Sequence, residues 1–488
     1  MTFTEYVFQH SRNLDKTAVI HKNQELSYKE LCQGIDFVNK LCFPLKGKAV
    51  LVVSENSPFF IKAFYGIIKS GCICVPVNPS APLDELEYII ETLSIKTIFA
   101  EEKHLKKLNS LNTADFDIYT EKALELCEMG ITEGAAVAPR EDVAVIMFTS
   151  GSTDRPKGVM LTHYNLMYNT ESIISYLNLR ENDRMEVVLP FYYCYGTSLL
   201  NTHLRCGGSL VINNRFMFPD TVLTDINKYQ CTGFAGVPST FQILLRMTDI
   251  KDRNLPSLKY ITQAGGKLQD TYILELTEVL KGVELFIMYG QTEATARLSY
   301  LPPAMVKTKM GSIGKGIPGT KLFVLNKEGQ QVKPGETGEI AVKGGNIMKG
   351  YLNDEEGTRE VIRNGLLFTG DIGTVDEDGY IYVVSREKNI IKSGGNRISP
   401  RDIENVIVKI PEVVECVVVG VPHEILGEAV KAFVVLKHNH CSIDEKYIID
   451  FCSERLARHK VPKIVVLMDS LPKNSSGKVL LKKLKEMQ

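Results

Sequence analysis

The chain of 488 residues predicts an α/β protein. A large N-terminal unit of parallel α/β subdomains carries a small β-barrel-like subdomain, and a small C-terminal α/β unit follows. Three observations carry that prediction. Apolar runs alternate with helix-period stretches over roughly the first 300 residues. From 311 the pattern changes to short strands punctuated by glycine. At 385–400 a charged, glycine-containing stretch, SREKNIIKSGGNRISP, precedes a second α/β rhythm.

In chain order, KAVLVVS (48–54) reads as a strand. SPFFIKAFYGIIKSG (57–71) reads as a helix opened by a Ser cap and stopped at Gly71. CICVPVNP (72–79) is a second strand, with Cys72 and Cys74 facing one side as packing, and DELEYIIETL (84–93) a second helix. The run Val143–Met147 reads as a buried strand, followed by the loop FTSGSTDRPKGVM (148–160) and then a helix starting near Thr162 or His163. Further strands fall near 185–189, 208–213, 232–236, 259–263 and 284–288. GSIGKGIPG, KLFVLN, GEIAVKG, LFTGDIG and GYIYVVSREK supply the antiparallel subdomain. The C-terminal unit has strands at 414–420 and 429–437 and helices at 401–410 and 444–457. The boundary is set at 385/386, giving units 1–385 and 386–488.

Lys plus Arg (57) nearly cancels Asp plus Glu (58), so no nucleic-acid partner is expected. No apolar run has membrane-spanning length and the start, MTFTEYVFQH, lacks signal-peptide regions, so a cytoplasmic protein is expected. The 11 cysteines show no CxxC pair and read as reduced. His438 and His440, beside Cys441, read as a solvated loop rather than metal ligands.

The polar clusters sit where parallel strands end, the position at which open α/β sheets bind ligands. Thr149, Ser150, Ser152 and Thr153, with Gly151, Gly158 and Lys157, fall within ten residues. Hydroxyls, backbone N–H groups and one ammonium suit a polyphosphate. The order Lys157-Gly158, with no hydroxyl after the lysine, excludes a kinase-type P-loop. In YGQTEATAR (289–297), Tyr289 offers a flat face to a purine, Gly290 admits close backbone approach and Glu293 can hold Mg²⁺. QAGGKL (263–268), GVPST (236–240) and LPFYYCYG (189–196) flank them. Asp371, in a glycine turn of LFTGDIG, can accept ribose hydroxyls. Each motif alone also fits an ordinary loop, turn or basic tail.

Together, from about 10 to 480 and in one order, these motifs resemble the adenylate-forming superfamily of acyl-CoA synthetases, luciferases and peptide-synthetase adenylation domains. The stand-alone acyl-CoA or acyl-carrier-protein synthetase branch is the most similar. The resemblance implies that Thr149, Ser150, Gly151, Ser152, Thr153 and Lys157 bind ATP phosphates, and that Thr149 and Glu293 hold Mg²⁺. It places Gly265, Gly266, Lys267, Tyr289, Gly290, Gln291 and Thr292 along the nucleotide, with Asp371 and Arg386 at the ribose. Lys388 would be the hinge, and Lys392, Gly394 and Gly395 would line the pantetheine tunnel. Lys478, after Ser-Gly in LPKNSSGKVL, would be the catalytic lysine. Asp154 in the phosphate loop, and Ser385 and Asn389 around the hinge, depart from the family pattern.

The implied reaction joins a carboxylic acid to ATP as acyl-AMP, releasing pyrophosphate, then passes the acyl group to the thiol of CoA or of a carrier-protein phosphopantetheine. The acyl pocket is assigned to Tyr192, Tyr193, Cys194, Gly236, Ala264, Gly265 and Gly290. The 189–196 segment holds no acid to pair with an α-amino group, so an apolar, fatty or aryl acid is expected, selected by shape. The two tyrosines stand where the luciferase and acyl-CoA branches usually carry histidine. Arg297, four residues past Glu293, is expected outward, on the surface or in a salt bridge; facing the pocket instead, it could pair with a second carboxylate and select a diacid. An amino-acid-activating domain, a luciferase-like oxidase and a nucleotide-binding homologue without ligase activity stay open as alternatives, as do monomer and homodimer.

Overall fold

The computed structural model describes residues 1–111, 116–125, 139–149, 155–386, 390–437, 443–474, 477 and 479–487. The expected local signals build their elements. Ser57 Oγ accepts from the Phe60 N–H at 3.1 Å and Pro58 occupies the first turn of helix Pro58–Lys69. Thr162 and Asn165 form a reciprocal cap on helix His163–Leu177.

Two large sheets carry the N-terminal unit. In the first, strands Thr17–His21, Ser209–Ile212, Arg184–Val187, Gly233–Gly236, Tyr260–Gln263 and Glu284–Tyr289 run parallel side by side. Antiparallel strands close both edges, making nine. The second has seven strands, with Asp117–Tyr119, Thr97–Ala100, Ala49–Val53, Ile73–Val77 and Val143–Thr149 parallel. One apolar core joins them. It runs from Val50, Val52 and Cys74 through Phe60, Phe64, Tyr65 and Leu200 of the intervening helices to Val19, Met185 and Val187. Cys72 and Cys74 both lie in this core, as packing requires.

One element departs from the sequence reading. The loop after Thr149 does not lead into a helix; Lys157–Thr162 is a strand, antiparallel to Val143–Thr149 with Thr149 opposite Lys157. Val159 and Met160 of this strand fall within the stretch expected as loop, 148–160. The strand also pairs with Gly350–Tyr351, which draws that distant segment to the loop.

The glycine-punctuated region folds as an antiparallel sheet of Lys321–Leu325, Thr337–Lys343, Leu366–Val375, Ile362–Arg363 and Ile381–Arg386. Its core of Val324, Ile340, Val342 and Leu367 takes in Ala294 from the YGQTEATAR segment and Leu298 directly after it. Residues from Ile391 pair in a further sheet, where Val413–His423 and Gly427–Leu436 run antiparallel and Ile464–Met468 lies parallel to the latter. Tyr272, on helix Asp270–Val279, donates its hydroxyl to the Val414 carbonyl at 2.9 Å, and one apolar cluster spans both units there.

Two predictions follow from this framework. The fully buried Tyr65 donates its hydroxyl to Asn201 Oδ1 at 2.8 Å, joining helix Pro58–Lys69 to helix Cys194–Cys206. Tyr65→Phe strands a buried acceptor and is expected to cost about 1–3 kcal/mol, read as a lowered thermal midpoint. Asp354 caps helix Glu355–Val361 through Oδ1, which accepts from the Gly357 N–H at 2.8 Å, while Oδ2 accepts from Lys157 Nζ at 2.7 Å. The lysine and then the N–H hold its carboxyl below the usual range. A depressed value contributes stability that is present above the ordinary carboxylate pKa and lost as pH falls through the lower folded value. Asp354→Asn keeps a capping side chain but drops the pair. Its thermal midpoint should therefore fall less steeply than wild type as pH drops below about 4, the ordinary carboxylate value.

Candidate active site

Strand Glu284–Tyr289 ends at the crevice and delivers the YGQTE segment. Gly290 is required there by its own chain: a Cβ would lie 1.8 Å from the Ala296 carbonyl oxygen. The close backbone approach expected for a ligand is thus made by residue 296. Gln291, Thr292 and Glu293 follow in a tight turn, with the Ala294 N–H donating to the Gln291 carbonyl at 3.0 Å. Tyr289 donates its hydroxyl to Asp371 Oδ2 at 2.7 Å. Asp371 is not in a free glycine turn as expected; it is buried within strand Leu366–Val375. The strand's pairing with Thr337–Lys343 shifts register beside it, and Gly370 takes a φ of +73°.

Glu293 Oε1 accepts the Tyr351 hydroxyl at 2.9 Å. Burial first, and the neighbouring carboxylate second, push the Tyr351 phenol up, so it is the donor in this bond. Lys157 Nζ lies 4.7 Å from the centre of the same ring and is bonded to Asp354. The lysine expected at the phosphates therefore stands in a ring-and-carboxylate clasp. Thr149 Oγ1 donates to the Lys157 carbonyl at 3.5 Å across the hairpin. Tyr351 and Asp354 escaped the sequence reading; GYLND carries no chemistry-bearing pattern until strand Gly350–Tyr351 is seen pairing with Lys157–Thr162.

On the opposite wall, the Tyr192 and Tyr193 rings lie 4.9 Å apart ahead of helix Cys194–Cys206. Cys194 Sγ accepts from Thr292 Oγ1 at 3.5 Å, so this wall touches the YGQTE turn. Tyr195 donates to the Thr262 carbonyl at 2.9 Å, one residue before Gln263 and two before Ala264. Gln263 Nε2 donates to the Gly266 carbonyl at 2.8 Å and fixes the turn, in which Gly265 has a φ of +86°. Gly236 does not leave room for a substrate on its Cβ side. A Cβ there would meet Thr240 at 2.8 Å and Phe241 at 3.0 Å, because helix Pro238–Met247 starts against it. Arg297, expected on the surface, is 2 % exposed, over the Tyr195 ring.

The C-terminal unit reaches the same crevice. Ser239 Oγ donates to the Gly477 carbonyl at 3.2 Å, and Gly477 also faces Val237. Lys267 lies partly buried, its Nζ 3.9 Å from Asp270, with Arg401, Asp402 and Glu404 acting on its charge. Its burial lowers the ammonium pKa. Gly394 (φ +54°) and Gly395 (φ +78°) form the two-residue turn of the hairpin Ile391–Ser393/Asn396–Ile398, which demands positive φ at both positions. Lys392 is exposed beside them. Ser150, Gly151, Ser152, Thr153, Asp154, Lys388, Asn389, His438, His440, Cys441 and Lys478 lie outside the described residues. Arg386 pairs by its backbone with Asp371, and its side chain is likewise outside them. Among the described residues no three His, Cys, Asp or Glu side chains gather as a metal cluster, and no helix is long and apolar enough to cross a membrane.

These contacts form one continuous path. It runs from the Thr149 hairpin through Lys157, Tyr351 and Glu293 to Tyr289 and Asp371, and from Thr292 through Cys194 to the Thr262–Gly266 turn. Known proteins share the fold that carries these residues. Residues 8–352 match the family described as AMP-binding enzyme, and 402–478 match the AMP-binding enzyme C-terminal domain. A long-chain-fatty-acid–CoA ligase of Bacillus subtilis is 31% identical over 97% of this chain and 92% of its own. A feruloyl-CoA synthase of Amycolatopsis is 33% identical over 95% and 94%. The solved anthranilate CoA ligase AuaEII, in complex with anthranoyl-AMP, superposes with a TM-score of 0.91 at 26% identity, covering 99% of this chain and 96% of that one. The Bacillus subtilis o-succinylbenzoate CoA synthetase, in complex with ATP and magnesium, does so with 0.86 at 29% identity and 99% of each chain. The chain belongs to the AMP-binding enzyme family.

Proposed function

We propose that this chain is an ATP-dependent, AMP-forming carboxylic acid–CoA ligase acting on an aryl or otherwise apolar acid. The observation that carries the reading is the convergence of the hairpin, the YGQTE turn, Asp371 and the Gly477 segment on one crevice. A substrate carboxylate oxygen attacks the α-phosphorus of ATP, and pyrophosphate leaves. The CoA thiol then attacks the acyl carbon, and AMP leaves. No protein nucleophile is needed; the chain positions the reactants and offsets their charge.

Tyr289, tethered by its hydroxyl to Asp371, is held as a fixed flat face for the purine, with Asp371 assigned to the ribose. Lys157 is assigned to the phosphates, which must displace Asp354 from it. The second oxygen of Glu293 has no partner among the described residues, which suits Mg²⁺, an ion that keeps several waters and takes one or two carboxylates. Glu293 and Thr149 would hold it, and it would neutralise phosphate charge. Lys478, next to the docked Gly477, is assigned to the carboxylate and α-phosphate oxygens. Its departure before thiolation is assigned to rotation about Lys388. Two adjacent tyrosines and no carboxylate in 189–196 support an apolar or aryl acid over an α-amino acid. The relatives named above act on fatty, ferulic, anthranilic and o-succinylbenzoic acids with CoA, and support CoA as the acceptor.

Pyrophosphate release over a panel of carboxylic acids tests the reading. At least one aryl or aliphatic acid should give ATP- and Mg²⁺-dependent release. Lys478→Ala should lower that turnover by about 100-fold or more, leave the thermal midpoint unchanged, and still convert supplied acyl-AMP to thioester. A variant releasing pyrophosphate at the wild-type rate would remove Lys478 from the first step.

A further inference from the structure

The reaction above leaves one charge of the crevice unexplained. Arg297 is 2 % exposed, yet it forms no ion pair with any described carboxylate. Its guanidinium lies 4.6 Å from the centre of the Tyr195 ring. Nη2 makes a long contact, 3.5 Å, to Ser198 Oγ, and Nε has no partner among the described residues. Burial pushes the Tyr176 phenol up; its hydroxyl donates to Met288 Sδ at 3.0 Å, and Arg297, hydrogen-bonded to it, acts in the opposite direction. A guanidinium carries five N–H donors, and a buried one is ordinarily paired with a carboxylate or phosphate.

The position of this charge names the missing partner. Tyr195 ties to Thr262, at the strand end that runs into Ala264 and Gly265. Cys194, the residue before it, touches Thr292 of the YGQTE turn. A small, mainly apolar cavity beside this wall is lined by Met147, Leu166, Cys194, Ser198 and Ala296, the last being the residue before the arginine. Arg297 is thus joined through Tyr195 to the strand end that leads into Ala264 and Gly265, residues assigned to the acyl pocket.

We propose that Arg297 binds a second carboxylate on the acid substrate, so that the ligase takes a dicarboxylic acid with an aryl or apolar linker. One carboxylate is adenylated, and the other supplies the anion that the buried guanidinium lacks among the described residues. This rests on the ligase reading and narrows it. The rival is a structural arginine that braces helix Cys194–Cys206 through Tyr195 and Ser198.

The test is competition in pyrophosphate release between monoacid and diacid pairs on one frame: benzoate with phthalate and terephthalate, hexanoate with adipate, octanoate with suberate. Wild type should favour a diacid by about 100-fold in kcat/KM, the size expected for a charge-assisted contact. Arg297→Gln should reduce that ratio at least about tenfold, chiefly through KM, and Arg297→Lys should restore part of it. The favoured diacid with AMP should also raise the wild-type thermal midpoint more than its monoacid does. Equal or better use of every monoacid overturns the proposal while leaving the ligase reading intact. A ratio unchanged in Arg297→Gln assigns the arginine to bracing. Release with no acid of either kind sinks the ligase reading, and this inference with it. Should Arg297→Gln fail to fold, the wild-type competition decides alone.

Discussion

The crevice depends on the hydrogen bond between Tyr351 and Glu293. Glu293 belongs to the turn that closes the nine-stranded sheet, and Tyr351 to an edge of the seven-stranded one. A bond from a hydroxyl to a carboxylate is worth about 1.5–3 kcal/mol, and here it locks together segments 58 residues apart in sequence. The same ring lies beneath the Lys157 ammonium, so one side chain sets the spacing of an anion and a cation. Tyr351 thereby fixes, before any ligand arrives, the separation between the groups assigned to metal and phosphate. Such advance positioning avoids the reorganisation that water would undergo around the same charges.

Asp354 adds a second constraint to that arrangement. It keeps the lysine oriented by an ion pair in place of a phosphate and at the same time caps the helix that follows Tyr351. Both partners are about one-third exposed, so the pair is weak enough for a multiply charged phosphate to replace it. On the other wall no acid among the described residues plays the corresponding part for Arg297. Lys157 and Arg297 therefore differ in kind: one has an internal anion to exchange, and the other has none among the described residues.

What the sequence disclosed follows the range of the interactions. Ser57, Pro58 and Gly71 bound their helix through contacts within a few residues, and those limits were readable. The antiparallel strand Lys157–Thr162 was not, because its three apolar residues lie directly against a strong helix cap at Thr162. Gly290 was recognisable as a glycine that something must approach, but only the fold shows the Ala296 carbonyl there. The partnership of Lys157 with Asp354 spans 197 positions and leaves no local trace. Arg297 was misjudged because charge favours the surface on average, and nothing nearby in the chain marks a buried exception.

The apolar seam between the two units has a thermodynamic consequence. Leu276 and Tyr272 of the large unit share one cluster with Val413, Cys416 and Val434 of the C-terminal one, and the Tyr272 hydroxyl is bonded across it. Any turn of the C-terminal unit that parts these surfaces hydrates hydrocarbon. Hydrated hydrocarbon raises heat capacity, whereas exchanging one set of polar contacts for another lowers it or leaves it nearly constant. Calorimetry across a range of temperatures would therefore distinguish opening of this seam from rearrangement of its polar rim, and the orientation held here would become relatively less favoured as the solution is cooled.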